Sequence, residues 1–192
     1  MTTAAHNTTT AADLVVPDCW DNYTDNTGSA YYIPHIIKST AGTNGYNYSS
    51  PASQVLYFYG SGNGYAALPL FSNPINELQI SFKWATEGST QGTLTLGYIT
   101  AEDDGTYNTF TAIGDGYAST SNTSPSYHQM KSETVYLNEV PTTATRLVFR
   151  WYYGSWYGAN IDDIEISLLP SCYPVGTLSA ATNLTSTSAT LN

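Results

Sequence analysis

Apolar and polar residues alternate over short runs in the middle of the chain. Between Leu78 and Ala85 every second residue is large and apolar, and the residues between them are Gln, Ser, Lys and Ala. The same alternation places Leu147, Phe149 and Trp151 on one face of a second run and Arg146, Val148 and Arg150 on the other. Because successive side chains of a strand point to opposite faces, each pattern predicts a strand with one buried face and one face toward water.

Short apolar or alternating segments of this kind recur along the sequence, separated by Gly, Asn, Asp, Ser and Pro. The predicted strands are residues 31–37, 54–59, 65–70, 77–86, 92–100, 108–113, 132–137, 145–153 and 160–168. The Gly-rich segment 60–64 has strong turn chemistry and is predicted to be a loop. No segment shows a sustained helical period. The pattern therefore predicts an all-β sandwich of two antiparallel sheets.

Composition agrees with a folded β domain. Of the 192 residues, 41% are hydrophobic and 14% aromatic, enough to fill a core. Residues 1–12 are rich in Thr and Ala and predict an unstructured lead-in, and residues 13–170 hold the sandwich. After Pro170 the sequence is low in aromatic residues and free of charge, so residues 171–192 are interpreted as a separate tail.

Charge excludes some partners. Only 5 Lys and Arg face 15 Asp and Glu, a net charge of -10, so a nucleic-acid surface is not expected. No apolar run reaches the roughly 18 residues of a membrane span, and membrane insertion is not expected. The few lysines and the many Thr, Ser and Asn residues favour an exported, oxidising setting. Residues 1–12 do not resemble a signal peptide, so the chain is interpreted as a piece of a longer secreted protein.

Two cysteines, Cys19 and Cys172, lie close to opposite ends of the sequence. The first and last strands of a sandwich are commonly neighbours, so one disulfide between them would clamp the termini. The alternative is that both are unpaired small hydrophobic residues.

The segment 151–157 is the densest aromatic run and suggests a ligand. Sugar rings pack their C–H faces on exposed aromatic rings, while polar side chains bind the hydroxyl groups. Alternation directs Trp151 inward and leaves Tyr152 exposed, and beyond Gly154 it leaves Trp156 and Tyr157 as candidates. The alternative is that these rings fill the core or form cross-strand pairs.

Several short motifs follow one another along the chain. They are VPDCW at 16–20, YAALPLF at 65–71 followed by INELQISF at 75–82, and TRLVFR at 145–150 followed by NIDDIEI at 160–166. Residues 14–169 thus resemble the jelly-roll modules grouped as cleaved-adhesin or choice-of-anchor domains, which are akin to MAM domains and carbohydrate-binding modules. The resemblance implies an all-β jelly-roll sandwich that binds a ligand.

The tail carries a second resemblance. Leu184 and the run 189–191 are similar to the first strands of a fibronectin type III domain. Modules of the first family are typically arrayed with such domains in large secreted proteins, so further domains of the same chain are expected. The alternative is a Thr- and Ser-rich linker.

The family resemblance also implies a metal. It suggests that Asp163 or Asp162 helps to hold a structural Ca²⁺ between the terminal strands, with Asp18 or Asp21 as partners. Carboxylates and backbone carbonyls supply the roughly 6–8 oxygens that calcium takes. The run 13–15 departs from the acidic-aromatic start that is common in the family. The alternative is a pair of capping aspartates at a strand entrance.

Catalysis is not expected. A retaining glycosidase needs two carboxylates about 5–5.5 Å apart across a cleft, and no Glu of this chain has the aromatic-flanked setting of the small jelly-roll xylanases. His35 and His128 belong to no catalytic motif. The leading interpretation is a non-catalytic binding module for a polysaccharide or glycan. The alternatives are an adhesin or spacer that contacts a host or matrix protein and, third, a glycoside hydrolase.

Overall fold

The computed structural model describes residues 16–26, 32–38, 54–86, 92–100, 107–118, 130–153, 158–170, 182–185 and 188–190. Its strands are β1 (Asp21–Thr24), β2 (His35–Lys38), β3 (Gln54–Tyr59), β4 (Gly62–Ala67), β5 (Leu78–Thr86), β6 (Thr93–Ile99), β7 (Thr111–Ala112), β8 (Lys131–Tyr136), β9 (Arg146–Tyr153), β10 (Gly158–Leu168), β11 (Thr182–Thr185) and β12 (Ser188–Thr190). One 3₁₀ turn, Ile75–Glu77, precedes β5.

Ten strands form two five-stranded sheets. The first sheet has the order β1-β4-β9-β6-β7, and the second has the order β2-β3-β10-β5-β8. Neighbouring strands in both sheets are antiparallel. The predicted all-β jelly-roll sandwich of two antiparallel sheets is therefore confirmed. Consecutive strands such as β3 and β4, or β9 and β10, lie in opposite sheets, so the connections between them cross from one sheet to the other.

The tail forms a small element of its own. Strands β11 and β12 pair with each other and with neither of the large sheets. The fibronectin type III start at residues 171–192, and the domain limits at 1–12 and 13–170, stay predictions.

The main core lies between the sheets. Leu78, Ile80, Phe82 and Trp84 of β5 are buried, as their alternation predicts. Phe82 meets Phe149 of the opposite sheet edge to face, with ring centroids 5.0 Å apart. This geometry is a favoured one for aromatic pairs because a ring edge meets the negative face of its partner.

A second buried cluster covers the other side of the first sheet. It consists of Tyr65, Ala67, Ile99, Tyr107 and Val148, with Tyr23 and Phe110 packed against it. The expectation that Val148 meets water is wrong, because this cluster leaves it 0% exposed. The predicted strand 108–113 is also shorter than expected: Tyr107 has a φ of 54°, and only Thr111–Ala112 is paired as a strand.

Gly60 lies in the short connection between β3 and β4. Gly60 has a φ of 86°, which favours glycine. A Cβ atom at Gly60 would lie 2.0 Å from the ring of Tyr32. The predicted loop at 60–64 is shorter than expected, since β4 begins at Gly62 and places Asn63 on a strand.

Candidate functional site

Tyr152 projects from the outer side of the first sheet. Its side chain is 55% exposed, whereas its neighbour Trp151 is 2% exposed and lies in the core. Tyr152 pairs with Asn63 of β4 on one side and with Thr93 of β6 on the other. The alternation of each strand places all three side chains on this outer face. An exposed ring is thus carried on a central strand between two polar residues.

Asp25 and Asn63 form a rigid polar pair beside this ring. The backbone N–H of Asn63 donates to Oδ1 of Asp25 at 2.7 Å, and Nδ2 of Asn63 donates to Oδ2 of Asp25 at 2.5 Å. The carbonyl of Asn63 accepts bonds from the N–H of Asp25 at 3.1 Å and from Oγ1 of Thr24 at 3.0 Å. Four hydrogen bonds therefore hold the pair in one arrangement before any ligand arrives.

The hydrogen-bonding capacity left on this pair consists mostly of acceptors. The backbone N–H of Asn63 and one hydrogen of its amide group are bonded to Asp25, which leaves the second amide hydrogen as a donor, while Asn63 Oδ1 accepts no hydrogen bond from the described residues. The Asp25 side of the pair is exposed and carries a carboxylate. A carboxylate oxygen has more than one lone pair, so it can accept from Asn63 and from a ligand together.

An aromatic cluster supports the strands that carry these residues. Tyr65, two residues after Asn63, stacks on Tyr107 with ring centroids 5.2 Å apart and planes at 10°. Phe110 meets Tyr65 at 5.9 Å, and Tyr23 lies 5.9 Å away on the other side. The guanidinium of Arg150 lies over the Phe110 ring at 4.5 Å. We call these five residues the aromatic cluster.

Burial and nearby charges both act on the Tyr65 hydroxyl. Burial raises the pKa of Tyr65, while the Arg150 guanidinium opposes this by charge and by a hydrogen bond. The Asp25 carboxylate raises the same pKa further, so its charge acts on the cluster. Tyr107 is fixed in turn by a hydrogen bond of 2.9 Å from its hydroxyl to Oδ2 of Asp21.

The described tyrosines of the second sheet are separated from this face. Trp156 and Tyr157 lie outside the described residues, and their role stays a prediction. Tyr57 and Tyr59 belong to β3 in the second sheet, where their ring centroids are 5.9 Å apart. Tyr32 continues that row at 6.4 Å from Tyr59. The tyrosines of β3 and those of the first sheet therefore occupy opposite sides of the sandwich.

Asp162 and Asp163 lie at an irregularity in β10. The register with β5 shifts between Asp162 and Glu165, and Asp163 has a φ of 49°. The N–H of Asp163 donates to Oδ1 of Asp162 at 2.9 Å, and Lys83 Nζ lies 2.7 Å from Oδ2 of Asp163. That hydrogen bond and charge raise the pKa of Lys83. These contacts resemble a capping arrangement at a bulge.

The predicted metal partners have other contacts. Asp18 is exposed in a turn, and Asp21 accepts from Tyr107 and lies 4.0 Å from the Arg146 guanidinium. Within the described ranges, no group of three or more His, Cys, Asp or Glu side chains is placed to hold a metal ion. A calcium site that combines one or two of these carboxylates with backbone oxygens stays a prediction.

Cys19 is exposed and has a φ of 68°. It forms no disulfide within the described part of the chain, and Cys172 lies outside that part. The predicted bridge between the two stays a prediction.

An apolar cavity of about 430 Å³ opens near the bulge of β10. Trp20, Ile36, Phe71 and Ile164 line it, with Asp162 among the few polar residues. The strand residues that line the cavity belong to β2, β3 and β10 of the second sheet, and the other lining residues precede β1 or follow β4. Alternation within single strands therefore did not indicate the cavity.

Asp25 and Asn63 were also missed from the sequence. Asn63 was assigned to a loop because Gly residues flank it, although an Asn within a Gly-rich turn at the start of a strand is a usable signal. Asp25 becomes relevant only because β1 pairs with β4, which brings it to Asn63.

Comparison with known proteins adds evidence on the fold. No family model and no curated protein sequence matches the chain. Among solved structures, the chain is similar to the K1 cleaved adhesin domain of Lys-gingipain from Porphyromonas gingivalis, at 14% identity and a TM-score of 0.57, over 81% of this chain and 94% of that one. The K3 domain of the same protein gives 18% identity and a TM-score of 0.54, over 79% and 93%.

A third similar structure is that of TmCBM61 in complex with β-1,4-galactotriose. It is 11% identical with a TM-score of 0.51, over 79% of this chain and 90% of that one. At these identities the comparisons show that the chain shares the sandwich fold of adhesin domains and carbohydrate-binding modules. In the described part of the chain, no helix has the length and apolar character that crossing a membrane requires.

Proposed function

We propose that this chain is a non-catalytic carbohydrate-binding module and that the face around Tyr152 holds the glycan. The observation that carries the proposal is the exposed Tyr152 ring beside the hydrogen-bonded Asp25–Asn63 pair. The ring can pack on the C–H face of a sugar, and the pair can accept hydrogen bonds from its hydroxyl groups. Sites that bind small ligands combine such apolar surface with a few placed polar groups.

The rigidity of the face supports binding. Asn63 and Tyr152 stand on paired strands, and the aromatic cluster packs on the same strands two residues away. A ligand therefore orders few side chains when it binds, which lowers the entropy cost of association. The galactotriose complex of TmCBM61 lends support because it shows that a protein of this fold binds a glycan.

The described residues support binding more than catalysis. Both Asp25 oxygens accept bonds from Asn63, an arrangement that suits a fixed acceptor rather than a proton carrier. His35, the histidine that the described residues include, is 1% exposed, and burial lowers its pKa. It is therefore a buried neutral side chain and not an accessible general base.

We place the module in a secreted or cell-surface bacterial protein with further domains. The support is the resemblance to adhesin modules together with the shared fold. The full-length gene tests this placement: a neighbouring catalytic domain would make the chain a targeting module, and a sorting signal would make it an adhesin.

The function is tested by binding to a glycan array, followed by affinity electrophoresis with the glycans that bind. Tyr152→Ala should weaken binding by about tenfold to a hundredfold, since full burial of such a side chain contributes about 1.5–3 kcal/mol. The matched control is Tyr136→Ala, on β8 in the second sheet, which should bind like the wild type.

Three outcomes have distinct meanings. A wild-type protein that binds no glycan but binds a host or matrix protein would replace this proposal with the adhesin alternative. If the Tyr152→Ala variant binds glycan as tightly as the wild type, this face is excluded as the binding site. Loss of glycan binding in a Trp156→Ala/Tyr157→Ala variant would then assign the site to the 154–157 segment. Release of reducing sugar from polysaccharides would instead favour a glycoside hydrolase.

A further inference from the structure

The basic residues of this protein are all committed elsewhere or lie on the other sheet. The chain has 5 Lys and Arg. Lys38 and Lys83 belong to β2 and β5 of the second sheet, and Lys131 lies 4.6 Å over the Trp84 ring. Arg146 donates to the carbonyls of Leu68, Cys19 and Ala67. Four of the five basic residues therefore lie on the other sheet or are bound to backbone carbonyls, and Arg150 is the fifth.

Arg150 is the basic residue nearest to Tyr152 along β9, and it is occupied as well. Its guanidinium packs on Phe110 at 4.5 Å and bonds to Tyr65. Moving it toward a ligand would break contacts within the aromatic cluster. Arg150 is therefore a structural cation of this face.

The charged group that faces a ligand beside Tyr152 is the Asp25 carboxylate, which can only accept hydrogen bonds, whereas the Thr93 hydroxyl and the second amide hydrogen of Asn63 can also donate. Asp25 presents a carboxylate, and Asn63 presents its Oδ1. An acceptor needs a donor, which in a glycan is a hydroxyl group. A ligand carboxylate or sulfate at the same place would meet a like charge, within a protein whose net charge is -10.

We infer that this face selects neutral glycans, whose adjacent hydroxyl groups donate to the Asp25 carboxylate while the sugar ring packs on Tyr152, and that it rejects uronates and sulfated sugars. The inference rests on the proposed function and adds the charge class of the ligand. A carboxylate bonded to hydroxyl donors makes charge-assisted hydrogen bonds, which are stronger than neutral ones. Selectivity therefore follows from both the attraction and the repulsion at one residue.

The test compares matched neutral and acidic polymers. Affinity electrophoresis is run with galactan against polygalacturonate and with hydroxyethylcellulose against carboxymethylcellulose, at low and high NaCl. At least one neutral polymer should retard the migration of the wild type, and salt should leave the affinity for that polymer unchanged. The wild type should bind the acidic counterpart of that polymer at least tenfold more weakly.

Two variants locate the selectivity. Asp25→Asn should reduce the ratio of the affinity for the neutral polymer to that for the acidic polymer at least threefold. Glu139 is an exposed acid, and Glu139→Gln gives the same change in net charge but should leave this affinity ratio unchanged. Thr93→Lys adds a cation across Tyr152 without touching the Asp25–Asn63 pair, so it covers the case in which the Asp25 variant does not fold. Thr93→Lys should raise the affinity for the acidic polymers. The control Thr134→Lys, on β8 in the second sheet, should leave that affinity unchanged.

The outcomes separate this inference from the proposed function. If the wild type binds none of the glycans, the proposed function fails and the inference fails with it. If the wild type binds acidic polymers as tightly as neutral ones and Tyr152→Ala abolishes that binding, the function stands and the inference is overturned. An unchanged ratio in folded Asp25→Asn, or in Thr93→Lys, also overturns it.

Discussion

Replacing Arg150 with Met tests whether the aromatic cluster is held together as the structure indicates. Methionine keeps a long apolar side chain but removes the guanidinium that lies 4.5 Å over Phe110 and bonds to Tyr65. A cation over an aromatic ring contributes about 0.5–2 kcal/mol, and a hydrogen bond from a charged group contributes about 1.5–3 kcal/mol. Because Arg150 is only partly buried, we expect a loss of about 2–3 kcal/mol in the free energy of unfolding.

The assay is a double-mutant cycle in urea. Arg150→Met, Phe110→Leu and the double variant are unfolded, and the coupling free energy is expected to be about 1 kcal/mol. In a thermal scan, Arg150→Met should lower Tm by about 4–12 °C, from about 2–4 °C per kcal/mol for a chain of this length. A matched double-mutant cycle uses Lys131→Met and Trp84→Leu, because Lys131 Nζ on the edge strand β8 lies 4.6 Å from the centroid of the Trp84 ring.

A second readout reports on the charge of Arg150 together with its hydrogen bond to Tyr65. Arg150 lowers the pKa of Tyr65 against the effect of burial, so Arg150→Met should raise that pKa further. Ultraviolet titration of the tyrosines measures this change. Coupling below about 0.3 kcal/mol, with both single variants destabilised, would show that the ring contact contributes nothing and would refute the reasoning.

Four further predictions follow from individual contacts. Burial, aided by the Glu133 carboxylate, raises the pKa of Tyr117 from 10.0 to about 12, so this tyrosine ionises at lower pH in the unfolded chain than in the folded one. Its contribution to the free energy of unfolding is therefore complete below pH 10 and is lost as the pH rises toward 12. Tyr117→Phe should reduce this loss of stability in urea unfolding measured at several pH values. Gly60→Ala should cost about 1–3 kcal/mol in urea unfolding because of its positive φ and the Tyr32 ring, and wild-type stability would contradict the turn geometry. If calcium binds near Asp162 and Asp163, calorimetry on EDTA-treated protein should give heat, and Ca²⁺ at a hundredfold excess over Kd should add about 2.7 kcal/mol; no heat and no change in Tm would exclude the ion. If Cys19 and Cys172 are bridged, thiol titration of the denatured, unreduced protein should find no free thiol, whereas two thiols would exclude the bridge.

The sequence determined the strands that follow simple alternation. Leu78, Ile80, Phe82 and Trp84 could be assigned to a buried face because neighbouring side chains on a strand point in opposite directions. The same local rule predicted that Trp151 points inward and Tyr152 outward, and their exposed fractions of 2% and 55% agree with it. The turn-forming glycines and the lack of a helical period were enough to predict an all-β sandwich.

Only the tertiary structure decided which strands are neighbours, and with them the candidate site. Tyr152 lies beside Asn63 because β9 pairs with β4, and Asp25 reaches Asn63 because β1 pairs with β4. Val148 is buried because residues from other parts of the chain cover the outer side of the first sheet. Local alternation reports which face a side chain takes, but not what lies across from that face. Those contacts depend on long-range register, which is set when the two sheets pack on a common core.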